Sequence, residues 1–314
     1  MMYAYDMHCQ TADSPDLSLL LFGNASKGNL RRGKDKDVYD FGDVLLLIAT
    51  NNLSAFGERL RQEIKGKGRI VTKLSAYWFR TLKNICPNHL ISVDQACLPD
   101  SIRAVAKDFE GQSMLVWKTT PLPVRCVVRG YLAGAAWREY RETGEICGNK
   151  LPSGLVESQR LPAPIFAPTT KSGEMNENIH YQALQSLLGE TLAEQLRETS
   201  LRLYFNAWRR AREQGVLIAD TKFEFGLHDG KMMLIDECLT PDTSRFWSMD
   251  SYRHGGPMPS MDKQILVDFL ESLGTSKMIP LPDEMLSSLG EKYHEGYSLI
   301  TGKRISSMKA LCET

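Results

Sequence analysis

Four side chains able to do joint chemistry fall within one stretch of the 314-residue chain, Val216 to Trp247. Asp220, Lys222 and Glu224 stand at alternate positions, and Asp236 follows beyond a turn. Two carboxylates beside a lysine suit a Mg²⁺–polyphosphate group, since Mg²⁺ usually takes one or two carboxylates plus phosphate oxygens. A solvated sheet face with an exposed ion pair accounts for the same residues equally well.

The elements that must hold these groups are legible around them. Phe223, Phe225 and Leu227 alternate with the charged residues, the period-two pattern of a strand with one apolar face. His228-Asp229-Gly230 reads as a three-residue turn with Gly230 left-handed, followed by a return strand Lys231–Cys238. That turn pairs Phe223 with Ile235 and Phe225 with Met233, and sets Lys222 opposite Asp236 with Glu224 two residues along. A two-residue turn would slip the register and send Asp236 to the apolar face. The apolar pattern therefore predicts the longer turn.

Further anion-binding candidates lie along the chain. Arg31-Arg32-Gly33-Lys34-Asp35-Lys36-Asp37 is a basic, glycine-containing turn leading through Val38–Asp43 into an apolar strand, Val44–Thr50. Such a turn can lay backbone N–H groups and lysines over phosphates; taken alone it reads more simply as a charged surface turn. Neither GxxxxGK[ST] nor GxGxxG occurs. Asn51–Gly57 reads as a turn, and Thr72–Leu82 as a helix with Leu74, Tyr77, Trp78 and Leu82 on one face. Met114–Trp117 and Cys126–Val128 are short strands around Pro121-Leu122-Pro123, which looks like a lobe boundary. Arg129 ends a strand before a helix through Tyr140, where it could serve an anion or a structural salt bridge. Leu161–Asn178 reads as a long proline-rich loop, Thr191–Gln214 as an amphipathic helix, and Thr240–Trp247 as a polar loop presenting Arg245. Lys263–Leu273 and Pro282–Thr301 look like terminal helices.

Composition narrows the class. Hydrophobic content of 42% and charged content of 24% are those of a globular protein long enough for two domains. The formal net charge of zero gives no reason to expect nucleic acid or an anionic membrane as partner. Seven scattered cysteines with no CxxC favour reduced thiols in the cytoplasm. No apolar run is long enough to span a bilayer, and the first residues lack the pattern of a signal peptide.

From about residue 31 to 305 the chain resembles the SAICAR synthetase (phosphoribosylaminoimidazole-succinocarboxamide synthase) family of purine biosynthesis. The resemblance rests on RGKDKDVYDFG, LSAF, VVRGYLAGAAW, PIFAPTTK, NENI, IADTKFEFG and IDECLTPDTSRFW. It implies an α+β, two-lobed fold similar to ATP-grasp ligases and inositol-phosphate kinases, with nucleotide between the lobes. The implied division is an extension over 1–30, an N-terminal lobe over 31–118 and a C-terminal lobe over 119–314. The implied reaction uses ATP and Mg²⁺ to activate the carboxylate of carboxyaminoimidazole ribotide as an acyl phosphate. The amine of L-aspartate then displaces phosphate. Gly33, Lys34 and Lys36 match the family's phosphate loop, and Glu224 and Asp236 its Mg²⁺ ligands. Lys222 and Asp220 match active-site residues near the activated carboxylate, and Arg129 and Arg245 the arginines that hold substrate phosphate or carboxylate. Adenine is expected near Lys118–Leu122. A monomer or homodimer is expected.

Departures from the family pattern fall on the substrate side. GSAW is here Gly134-Ala135-Ala136-Trp137, and HDENI is Met175-Asn176-Glu177-Asn178-Ile179. DRISAFD has become Asn51-Asn52-Leu53-Ser54-Ala55-Phe56-Gly57, and Asp35 stands where an apolar residue is common. Ala135, Asn176 and Ser54 are thus the substrate-side positions to watch. Three readings follow: the purine-pathway ligase; a paralogous amide ligase acting on a related heteroaromatic or nucleoside carboxylate; and a nucleotide-binding protein without catalysis. The kept Lys34, Lys222, Glu224 and Asp236 argue against the last.

Overall fold

The computed structural model describes residues 28–55, 58–171, 178–274 and 279–303. The chain opens with β1 (Asn29–Arg32), β2 (Lys36–Asp40) and β3 (Val44–Ala49), then β4 (Asn52–Ala55), β5 (Glu58–Glu63) and α1 (Lys67–Leu82). β6 (Leu90–Ser92), α2 (Asp100–Ala106) and β7 (Ser113–Trp117) complete the first sheet, antiparallel in the order β1-β2-β3-β7-β6. The alternation in VLLLIA explains its two faces. Val44, Leu46 and Ile48 pack with Ile102 and Ala106 of α2, while Leu45, Leu47 and Ala49 lie against the main core beside α1.

The second sheet follows directly. It begins with β8 (Thr120–Tyr131); α3 (Ala135–Thr143) and a separate two-stranded hairpin of β9 (Glu145–Ile146) and β10 (Asn149–Lys150) lie between that strand and β11 (Arg160–Thr170). After α4 (Tyr181–Leu188) and α5 (Glu190–Arg212) come β12 (Val216–His228), β13 (Lys231–Ile235) and β14 (Ser244–Ser248), then α6 (Gln264–Ser272) and α7 (Asp283–Thr301). The sheet order is β11-β8-β12-β13, with β14 pairing the first half of β12. Leu203, Tyr204, Ala207 and Ala211 of α5 cover it, at about 1.5–3 kcal/mol for each large apolar side chain fully buried. A Cβ at Gly130 would lie 1.8 Å from the Tyr204 hydroxyl, so only glycine lets that ring close on β8 and donate to the Ile218 carbonyl.

Several sequence expectations are corrected. The β12–β13 turn has two residues, Asp229 and Gly230, with φ of 50° and 73°, the paired positive angles of a type I′ turn that matches strand twist. Phe225 therefore opposes Leu234 and Glu224 opposes Ile235. The feared burial of Asp236 is avoided by backbone geometry: β13 ends at Ile235, and Asp236 takes φ 71°, which turns it off the pleat. Residues 160–170 are strand β11, not loop. β11 is the sheet edge, pairs with β8 on one side only, and breaks register between Arg160 and Ile165, so its prolines cost few ladder bonds. Pro121-Leu122-Pro123 likewise lies inside β8, in the part that β11 does not pair. Residues 52–55 and 244–248 are strands where turn and loop were expected. Cys86, Cys126, Cys147 and Cys238 are free and buried. No helix among the described residues is long and apolar enough to cross a membrane.

Candidate active site

One group of charges joins the two sheets. Lys36, at the start of β2, forms an ion pair with Asp236, just past β13, and lies 3.6 Å from Glu237. Burial opposes charge on Lys36, but Asp236 and Glu237 outweigh it and hold the ammonium above the usual lysine range. Burial likewise opposes Asp236, where Lys36 prevails and the carboxyl sits below its usual range. Burial wins at Glu237, whose carboxyl is pushed up. Lys36 and Asp236 remain 21% and 30% exposed, so the pair contributes little to stability and stays open to an exchange of partners.

Glu224 stands on β12 directly across from Arg125 of β8, whose Nε donates to it at 2.8 Å, while Lys171 approaches its other oxygen at 2.7 Å. Its charge also acts on Lys36, and that of Lys222 acts on Asp236. Among the described residues no group of three or more His, Cys, Asp and Glu gathers as a metal centre. The donor chemistry still fits Mg²⁺ carried by a polyphosphate: two carboxylates for the metal, with Lys36 and Lys171 beside them for phosphate oxygens. Gly33 keeps the adjoining turn tight, because a Cβ there would lie 2.4 Å from the Lys36 carbonyl oxygen.

Beside this group is a pocket of about 280 Å³, lined by Arg129, Ala135, Lys222, Arg245, Lys263 and Gln264, among others. Asp220, on β12, receives Arg245 of neighbouring β14 and Arg129 Nη1 of neighbouring β8, the latter at 3.4 Å. Arg129 is 7% exposed, and its Nε has no hydrogen-bond partner. An orphaned guanidinium donor this deeply buried is costly unless an anion completes it. Gln264 accepts from Arg245 Nε and Nη2 at 3.1 and 2.7 Å, fixing the plane of that guanidinium. Gly134 takes φ 55°, and a Cβ there would lie 2.3 Å from Arg245 Nη2, so glycine brings the start of α3 against the arginine. Lys222 lines the pocket and carries no ion pair among the described residues. A larger groove of about 570 Å³, between residues 147–152, β11 and α4, contains none of these groups.

The expected site residues thus fall into two adjoining sets. Lys36, Glu224 and Asp236 form the first; Asp220, Lys222, Arg129, Arg245 and Ala135 form the second. Ser54 is buried behind Lys263, and Lys34 is exposed on its turn beside Gly33. Lys118 stands apart at the β7–β8 connection, paired with Asp40 at 2.8 Å. Asn176 lies outside the described residues. Sequence reasoning missed Arg125, Lys171, Glu237, Lys263 and the buried pair Lys67–Asp242, at 2.6 Å. Lys171 and Asp242 sit inside recognised motifs and could have been marked there. Lys67 and Lys263 carry no periodic signal, because their partners are far away in sequence.

Two antiparallel sheets bridged by ion pairs, with arginines and lysines lining a pocket between carboxylates, define a protein built to hold anionic small molecules. The chain belongs to the SAICAR synthetase family, whose model matches residues 29–280. It is 45% identical over 298 residues to the phosphoribosylaminoimidazole-succinocarboxamide synthase of Geotalea uraniireducens, covering 93% of this chain and 97% of that protein. It is 48% identical over 278 residues to the enzyme of the same name from Pelobacter propionicus, covering 87% and 94%. Among solved structures it is similar to SAICAR synthase from Saccharomyces cerevisiae complexed with SAICAR, with TM-score 0.80, 38% identity and coverage of 89% and 97%. A SAICAR synthetase in complex with ADP superposes with TM-score 0.67 at 25% identity, covering 89% and 100%.

Proposed function

We infer that the protein is an ATP-dependent ligase that joins L-aspartate to the carboxylate of carboxyaminoimidazole ribotide, the SAICAR-forming step of purine biosynthesis. The observation that carries this reading is the place of Lys222. Lys222 lines the pocket, and its charge acts on Asp236 in the neighbouring group. A cation there stabilises negative charge as a phosphoryl group passes to a substrate carboxylate.

Each set of residues has a task in this reading. Glu224 and Asp236 would hold Mg²⁺, and Gly33, Lys34 and Lys36 the phosphates; Mg²⁺–ATP supplies the phosphoryl group that activates the substrate carboxylate. Arg129 and Arg245 bind the anionic ribotide, with the orphaned Arg129 Nε as its ready donor. Asp220 holds both arginines in line. The pocket positions acyl phosphate and amine together, and no protein nucleophile is required. The nucleotide cleft lies between lobes of residues 31–118 and 119–314, an arrangement related to ATP-grasp ligases and inositol-phosphate kinases. The enzyme works in the cytoplasm.

Incubation with ATP, Mg²⁺, L-aspartate and carboxyaminoimidazole ribotide, followed by mass spectrometry, tests the reading. The expected result is one SAICAR and one ADP per turnover. ATP consumed only with a different heteroaromatic carboxylate would replace the substrate and keep the ligase chemistry. Calorimetry on Glu224→Gln should show ATP binding that no longer responds to Mg²⁺.

A further inference from the structure

The turn that carries Gly33 and Lys34 is tied to the pocket through the segment that follows β3. The Asp35 carbonyl accepts from both the backbone N–H and the hydroxyl of Thr50, each at 2.9 Å, and the Lys34 carbonyl accepts from Asn52 Nδ2 at 3.1 Å. The Asp35 side chain then reaches Ser54, whose hydroxyl lies 2.8 Å from each carboxylate oxygen. Lys263 Nζ donates to the same Ser54 oxygen at 3.0 Å. A serine hydroxyl has one proton and two lone pairs. With its proton committed to Asp35, Ser54 presents only lone pairs to the ammonium.

We propose that Asp35 is a positioning residue for the reaction. Acting through Ser54, it holds Lys263 in the wall of the substrate pocket, so that the phosphate turn and a substrate-side cation are set as one unit. The charges around Lys263 make the dependence strong. Burial holds the Lys263 ammonium below the usual lysine range; Asp242 and Asp35 oppose this, while Lys222 and Lys67 add to it. Without Asp35 the ammonium has one carboxylate, Asp242, against two lysines. Ser54 is 6% exposed, so water cannot easily take the carboxylate's place. The proposal rests on the ligase reading and adds to it a residue outside the two sets described above.

The test uses the full chain with ATP, L-aspartate and carboxyaminoimidazole ribotide. Lys263→Met identifies which pocket substrate loses affinity. Asp35→Val and Ser54→Ala should each raise the KM of that same substrate about ten-fold, the loss of one charge-assisted hydrogen bond. The ATP KM should stay within two-fold, and the double variant should be no worse than the poorer single variant, because the residues act in series. In Asp35→Asn the alkaline limb of kcat/KM should move to lower pH as Lys263 loses its proton more readily. Multiplying effects, effects on the ATP KM alone, or an unchanged KM in Lys263→Met would overturn the proposal. A crystal structure of Asp35→Val supplies a readout independent of turnover: Lys263 Nζ should leave Ser54, and an unmoved ammonium sinks the idea. If the wild type turns over none of these substrates, the ligase reading fails and this structure alone decides the relay.

Discussion

At the scale of single residues, the candidate site holds charges that are left incompletely partnered among the described residues. Lys222 is held by its backbone N–H to the Thr243 carbonyl at 3.0 Å, while its ammonium lacks an ion pair among the described residues. Lys222→Ala should lower kcat by about 10²–10³-fold, the usual cost of one donor aimed at transition-state charge. Nucleotide binding by calorimetry should remain, and wild-type turnover would remove Lys222 from the mechanism. Ala135 marks the opposite case, a place where the family's hydroxyl is missing from a pocket that keeps both arginines. Ala135→Ser should tighten binding of carboxyaminoimidazole ribotide by about one decade, as one hydrogen bond to a charged group allows. Equal binding of the ribotide and its dephosphorylated analogue in both proteins would show that the pocket does not read the phosphate.

At the scale of elements, α1 bolts the loop that carries Asp242 in place. Its first residue, Lys67, is 1% exposed, donates to the Asn52 carbonyl at 2.8 Å, and pairs with Asp242. Tyr293 of α7 donates to the other Asp242 oxygen at 2.6 Å, so three elements meet on one carboxylate. Burial resists the Asp242 charge, but Lys67 and Lys263 prevail and hold its pKa down at about 2. Lys67→Met should destabilise the fold by about 3–5 kcal/mol, because it leaves a buried charge without its partner. Denaturant titration reads this directly. Adding Asp242→Leu should recover part of the loss, and a double variant as unstable as the sum of the singles would refute the coupling. The β12–β13 hairpin shows how much one turn decides: Asp229-Gly230 sets the register, and the left-handed Asp236 then rescues its own carboxylate from the apolar face.

At the scale of the whole molecule, the buried carboxylates give stability a definite pH dependence. Asp262 is 2% exposed and accepts from the Phe246 and Gln264 backbone N–H groups, yet burial pushes its pKa up to about 6. A carboxyl raised on folding binds more protons in the native state than in the unfolded state between its ordinary value and about 6. Its contribution therefore favours folding at the acid end of that window and is lost as pH rises through 6. Asp262→Asn should flatten the slope of Tm between pH 4 and 6, whatever it does to Tm itself. A parallel slope in the variant would assign the titration elsewhere. Asp242 works in the opposite direction: its contribution is present above the ordinary aspartate range and fades as pH falls toward 2.

What the sequence by itself determined was local and periodic. Alternation placed β3 and β12, helical spacing placed α1 and α5, and the run from Asp220 to Glu224 marked the candidate site. The motifs also carried the family, since charged residues at fixed spacing on strands keep their spacing in any fold that preserves the strands. Tertiary structure decided everything that depends on partners distant in sequence. Proline composition suggested a loop at 161–170, but pairing to β8 on a sheet edge made it a strand. Alternation of apolar residues predicted a three-residue turn, but pairing of His228 with Lys231 leaves Asp229-Gly230 alone in the turn and sets Phe225 opposite Leu234. The joining of Lys36 to Asp236, of Lys67 to Asp242 and of Asp35 through Ser54 to Lys263 had no local signature. A salt bridge between residues two hundred positions apart is a property of how two sheets meet, and no window along the chain contains it.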